Sequence, residues 1–210
     1  MTTLGPKGGT VTSTTDEAIL EAALQQIAVT GVRRTSADDI ARRAGVNRAT
    51  LYRRLGGREE ILRAAYAQET ARVLGLIEAA IGDVPEPGTP GFDPVDYVVE
   101  FFTVTIRTLR ENRILTQLLD ADREETLVRL TFDAGETLRV SALFCADRIR
   151  ALRRHLDPVP DDDVDPVSWA LARLSQSLLL TQAGPPSLRT RAQFRTFAEQ
   201  VVVPLVLPRR

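Results

Sequence analysis

Three features of this 210-residue chain predict an all-α fold. Apolar residues recur at helical spacing along most of its length, and strand-like alternation is almost absent. Pro- and Gly-rich loops part the helical stretches, GDVPEPGTPGFD at 82–93 and GPP at 184–186 among them. Near residue 45, two short helical patterns meet at a glycine with the spacing of a helix-turn-helix. The predicted architecture is an N-terminal three-helix helix-turn-helix module followed by a larger helical domain. The expected divisions are a disordered arm at 1–13, the helix-turn-helix module at 14–57 and the helical domain at 58–210.

The arm is polar and Gly/Thr-rich, lacks an apolar signal core, and carries Lys7 on what reads as a solvated tail. Thr14 and Glu17 then have capping-box spacing ahead of a helix with Ile19, Leu20, Ala23, Leu24, Ile27 and Ala28 on one face, ending at Thr30-Gly31. Ser36 caps a second helix, with Asp39 three residues on and Ile40, Ala41 and Ala44 apolar. Gly45 supplies a residue that turns with positive φ, Val46 plugs the corner, and Asn47 caps a third helix that runs to Leu55 and stops at Gly56. Small Ala41, then Gly45, then apolar Leu51 is the spacing that lets two helices cross closely, turn and anchor.

Charge adds a direction to this module. Arg42, Arg43, Arg48, Arg53, Arg54 and Arg58 fall in one run without an acidic residue, although the chain balances 27 basic against 28 acidic side chains, so the patch is local. At about 100° per residue, Leu51 and Leu55 face inward and Ala49 and Arg53 lie at the centre of the outer face, flanked by Thr50 and Tyr52. Arg48 projects from the first turn. Arg pairs with guanine edges, while Thr, Tyr and the remaining Arg side chains grip phosphates, which suits a helix in the major groove. A solvated basic face is the plainer alternative for the arginines taken alone.

A long helix is expected from Arg58 toward Ile81, with Ile61, Leu62, Ala65, Val73, Leu76, Ile77 and Ala80 inward and Glu69 and Arg72 on the other face. Its first-turn Glu59 and Glu60 suit the helix dipole, and Arg58 is placed to meet either a phosphate or a nearby Glu. With this element in place the chain resembles the TetR family of bacterial transcriptional regulators. The matching residues are Thr35 to Ala41, Ala44 to Asn47, Ala49 to Tyr52, and Arg58-Glu59-Glu60-Ile61-Leu62. The resemblance covers about residues 14–65 and implies that Arg48, Ala49 and Arg53 face bases, with phosphate contacts from Thr50, Tyr52, Arg54 and Arg58. With Ser36 at the cap, these are the candidate DNA-binding residues. The chain departs from the family pattern at Leu55, where an aromatic is usual, and at Gly56-Gly57, which marks a candidate hinge.

The mildly negative remainder continues in helices. Asp93-Pro94 restarts one whose inner face is Val98, Phe101, Phe102, Thr105 and Leu109; a shorter one follows at 113–119, then a stretch from 124 to 156 with a break near Gly135. An acidic, Pro-rich linker at 156–166 leads into a helix opened by Asp165-Pro166 and running to Gln182. A last helix is expected from Leu188 to Val203, stopped by Pro204. Val167, Leu171, Leu174 and Leu178 form one apolar stripe there, and Phe194, Phe197 and Val201 another, read as a homodimer interface in a four-helix bundle. The alternative is that both stripes serve the subunit's own core.

The resemblance also implies a small hydrophobic effector held by the middle helices, with walls from Phe101, Phe102, Thr105, Leu109, Ser141, Phe144, Cys145, Arg148 and Trp169. It implies a dimeric repressor on a double-stranded, pseudo-palindromic operator. An activator, an effector-independent regulator, and an all-helical enzyme or scaffold with a vestigial head remain the alternatives. Catalysis is not expected: the single histidine, His155, sits near a helix end without a nucleophile pattern, and Cys145 lies among apolar neighbours. No metal site or cofactor is expected, no Gly-rich phosphate loop follows a strand, and no run is long enough to cross a membrane. One cysteine permits no intramolecular disulfide, which fits a cytoplasmic location.

Overall fold

A computed structural model describes residues 14–156 and 161–207. The arm expected at 1–13, with Lys7, and the middle of the acidic linker lie outside the described residues, as does the Thr14 side chain proposed as a cap. Among the described residues the chain is helical and has no strand. In order, the helices are α1 (Thr14–Thr30), α2 (Ala37–Ala44), α3 (Arg48–Leu55), α4 (Arg58–Ile81), α5 (Pro94–Arg110), α6 (Arg113–Ala121), α7 (Arg123–Thr131), α8 (Gly135–Arg153), α9 (Val164–Leu180), α10 (Arg191–Phe197) and α11 (Val203–Val206). A π-helical turn, Ala198–Val202, joins the last two.

The head is α1 to α3 closed over the start of α4. Ile19, Leu20, Ala23 and Leu24 of α1, Ile40 and Ala41 of α2 and Leu51 of α3 share one buried cluster with Ile61 and Ala65 of α4. A second cluster, Ile27, Val32, Leu62 and Leu118, ties the head to α6. Here Gly31 is needed twice: its φ is +82°, and a Cβ would meet the Asp122 Cβ at 3.0 Å and the Ala121 carbonyl oxygen at 3.1 Å. Arg33 closes the same junction, donating from Nε to Asp122 Oδ2 at 3.2 Å and from Nη2 to Asp122 Oδ1 at 3.1 Å.

The body is a bundle in which α8 and α9 make the most extensive pairing. Its main core joins α5, α8, α9 and the C-terminal helices through Val98, Phe102, Ile106, Ile149, Leu178 and Phe194. Arg153, almost fully buried, binds Asp163 Oδ1 at 2.5 Å and donates from Nε to the Val206 carbonyl at 3.1 Å, so α8, the start of α9 and α11 meet at one guanidinium.

Several expectations are corrected. In α4, Leu76 and Ala80 are exposed, because the inward line runs through Val73 and Ile77 and leaves both on the flank. Glu69, expected outward, is buried: its carboxylate accepts from Arg72 Nε and Nη2 and from Asn112 Nδ2, each at 2.7 Å. The helix opened near Asp165 starts at Val164 and ends at Leu180. The last helix begins at Arg191 on a Thr190–Gln193 capping box and runs through Pro204. The π-type turn before Pro204, closed by Val203 N–H to Ala198 C=O, widens the backbone where a proline ring would otherwise strike the preceding turn.

Candidate nucleic-acid interface

The helix-turn-helix is set by short-range bonds. Ser36 Oγ accepts from the Asp39 N–H at 3.2 Å, and Asp39 Oδ2 accepts from the Ser36 amide at 3.1 Å, a complete capping box. The Ser36 hydroxyl and amide hold the Asp39 carboxyl below its ordinary range. Gly45 follows with φ 68° and ψ 23°, and nothing lies within 4 Å of where its Cβ would stand, so the backbone angle alone demands glycine. Asn47 Oδ1 then accepts from the Thr50 N–H at 2.7 Å and starts α3. Leu51 is fully buried and Leu55 packs on the same cluster, which turns Ala49 and Arg53 outward, both exposed, with Thr50 and Tyr52 beside them.

The arginines of this face differ in how they are held. Arg53 makes no ion pair or side-chain hydrogen bond among the described residues and stands at the centre of the exposed face. Arg48 is steadied by Asp38 at 3.2 Å and by the Tyr52 hydroxyl at 3.3 Å, with its guanidinium carbon 5.3 Å from the Tyr52 ring centre. Arg54 pairs with Asp16 of α1 at 2.9 Å. Arg58 donates from Nε to the Thr35 carbonyl at 3.1 Å and from Nη2 to the Val32 carbonyl, and its Nη1 meets Glu59 at 2.8 Å. Arg58 thus makes the expected pairing with a Glu and adds a clasp on the loop between α1 and α2.

Behind the head lies a cavity of about 490 Å³ walled by α4 to α9. Six residues expected there line it: Phe101, Thr105, Leu109, Ser141, Phe144 and Cys145. Phe102 and Arg148 instead line a second cavity of about 40 Å³, which Phe101, Thr105 and Cys145 share. Arg148 binds Glu78 at 2.8 Å, with its guanidinium carbon 4.6 Å from the Phe144 ring centre. Trp169 lines neither cavity; it packs on Ala134, Leu138, Ala142 and Ala172, where the α8–α9 pairing holds it. Burial pushes the Cys145 thiol up to about 12, so it stays protonated. His155 is half-buried, its ring 4.6 Å from Phe92 and its Nε2 2.8 Å from the Pro85 carbonyl oxygen.

The stripe expected to face a second subunit is largely spent inside this one. Leu171, Leu178 and Phe194 are buried in the main core, and Val167, Leu174 and Phe197 pack against it. Val201 alone of the seven is exposed, beside Leu205 on the outer side of the C-terminal helices. Periodicity identified an apolar face correctly but carries no information on which surface it meets. Sequence reasoning also missed Tyr66 and Arg129, which come together at the cavity, and the Arg33–Asp122 junction. These partners lie far apart in sequence, and no local pattern marks them.

Residues 19–65 match the family model described as bacterial regulatory proteins, tetR family. In each of two Mycobacterium tuberculosis strains, an uncharacterized HTH-type transcriptional regulator is 30% identical over 172 residues, covering 81% of this chain and 75% of the relative. Among solved structures, the TetR family repressor AlkX from a Dietzia strain, implicated in biodegradation of n-alkanes, superposes with a TM-score of 0.63 at 20% identity, over 95% of this chain and 97% of that one. The Rhodococcus (R. erythropolis) transcriptional repressor QsdR gives 0.59 at 20% identity, over 93% and 96%.

Proposed function

The chain belongs to the TetR family of bacterial regulatory proteins and is a DNA-binding transcriptional regulator; from that premise we propose that it acts as a dimeric repressor released from its operator by a small apolar effector. The observation that carries the DNA-reading assignment is Arg53, without an ion-pair partner among the described residues and exposed on the outer face of α3 beside small Ala49. Arg48, steadied by Asp38 and Tyr52, is pre-organised for a second base contact. Thr50, Tyr52, Arg54 and Ser36 lie where the phosphate backbone would pass, and Arg54 would exchange Asp16 for a phosphate. Residues 14–57 are the proposed DNA-binding unit and 58–210 the proposed control and dimer unit, with Ile61 and Ala65 of the second unit built into the core of the first.

Dimerisation would give the heads a mechanical use, since two recognition helices about 34–36 Å apart reach successive major grooves. The face proposed for it is the exposed one, Ala170 and Ser177 of α9 with Val201 and Leu205. A concentration-dependent dimer in sedimentation, lost in a Val201→Asp/Leu205→Asp double variant, is expected; a monomer at every concentration contradicts it. The effector reading rests on the 490 Å³ cavity, within the range of small-molecule sites. An effector acts by preferring one arrangement of the heads. The deciding experiment is a gel shift on DNA upstream of the chain's own reading frame, with excess competitor DNA at fixed salt. A complex that survives competitor and fails with Arg53→Ala supports the function; salt-sensitive binding without sequence preference leaves only a basic patch.

A further inference from the structure

Three side-chain groups on the cavity wall are buried with no hydrogen-bond partner among the described residues: Tyr66 Oη, Arg129 Nε and Thr105 Oγ1. Two of them are neighbours. The Arg129 guanidinium carbon lies 5.8 Å from the Tyr66 ring centre, so the two side chains occupy one region of the wall. Burial pushes the Tyr66 phenol up to about 12, which keeps its proton in place. Arg129 Nε can only donate. Buried donors left without acceptors destabilise a fold, and an acceptor oxygen entering the cavity would satisfy this pair. Elsewhere the wall is mainly apolar, with Val73, Ile77, Leu130, Leu138, Val140 and Phe144.

Arg129 is also the first link of a chain of bonds into the head. Its Nη2 meets Glu125 at 3.1 Å and Glu59 Oε2 at 3.2 Å. Glu59 Oε1 takes Arg58 Nη1 at 2.8 Å, and Arg58 holds the carbonyls of Val32 and Thr35. Thr35 immediately precedes Ser36, the cap of α2. Three side chains, Arg129, Glu59 and Arg58, and two backbone carbonyls thus connect the cavity wall to the loop that starts the helix-turn-helix. Glu59 is the single carboxylate shared by the cavity arginine and the clasp arginine.

We propose that the cavity takes an amphiphile ending in a carboxylate or carbonyl oxygen, bound by Tyr66 and Arg129, and that its binding draws Arg129 off Glu59 and loosens the Arg58 clasp on the head. This rests on the reading of the chain as an effector-controlled regulator. Tyr66 and Arg129 position the headgroup, the apolar wall takes the tail, and Glu59 carries the coupling rather than the affinity.

The test uses the full chain with decanoate, methyl decanoate and n-decane as probes, titrated by calorimetry, and operator affinity read by fluorescence anisotropy. At least one oxygen-bearing probe is expected to bind about tenfold or more tighter than n-decane. Decanoate well ahead of its ester identifies a carboxylate ligand, and equal binding of the two identifies a carbonyl. Tyr66→Phe is expected to erase the preference without lowering the melting temperature, since its hydroxyl has no partner to lose. Glu59→Ala is expected to keep probe affinity within about threefold while losing most of the probe's effect on DNA binding. Equal binding of all three probes, a preference that survives Tyr66→Phe, or a full DNA response in Glu59→Ala overturns the proposal. No probe binding by a chain that still binds its operator overturns it too, and leaves the DNA-binding function standing. Absence of specific DNA binding by the unaltered chain is the separate failure of the underlying reading.

Discussion

The head and the cavity are built by instructions of different range. In the head, Ser36 meets Asp39 and Asn47 meets Thr50, each pair three residues apart, and one glycine at φ 68° makes the turn. At the cavity and at the junction that joins the body to the head, the defining pairs are Asn112 with Glu69, Arg129 with Glu59 and Arg33 with Asp122, separated by 43, 70 and 89 residues. The head presents a surface that needs only α1 to α3 closed over the first turns of α4. The cavity and its link to the head exist only once six helices have packed.

That contrast is open to attack at graded cost. The largest effect is expected from Leu51→Ala, which removes the fully buried anchor of α3 and should cost about 2–5 kcal/mol of head stability. Native-state hydrogen exchange should then show faster exchange in α1 to α3 with α8 and α9 still protected; uniform loss of protection would show that head and body are not separable. Arg53→Ala comes next, with about 1–3 kcal/mol lost per half-site and relaxed sequence preference, measured by competition against mutated operators. Arg54→Ala should weaken binding to all sequences alike and lower the salt slope instead. The smallest effect belongs to Gly45: Ala should cost about 1–2 kcal/mol in thermal unfolding from its left-handed φ. Asn should cost less, since no neighbour crowds the position and Asn tolerates that conformation.

The same contrast explains what the sequence made legible. Caps, the turn glycine and the outer face of α3 were readable because each depends on residues within one helical turn of one another. The all-α class and the breaks at 82–93 and near Gly135 were readable from periodicity and punctuation. The destination of an apolar stripe was not: Leu171, Leu178 and Phe194 read as interface, with core as the alternative, and packing put them in the core. Glu69 read as solvent-facing because its partner Asn112, the cap of α6, lies 43 residues away. Trp169 has the size and chemistry of a ligand-contacting residue, yet the close α8–α9 pairing turns it away from both cavities. Pro204 shows the limit of a breaker rule, since a π turn just before it lets the helix continue.

The most direct test of the central claim, that paired copies of this head read DNA, is a high-resolution footprint of the upstream DNA with the full chain. Two protected half-sites with dyad symmetry on one face of the duplex are expected, their centres separated by about one helical turn or a multiple of it. Both should vanish together in Arg53→Ala. A single protected site, or diffuse protection that persists in Arg53→Ala, would contradict the account.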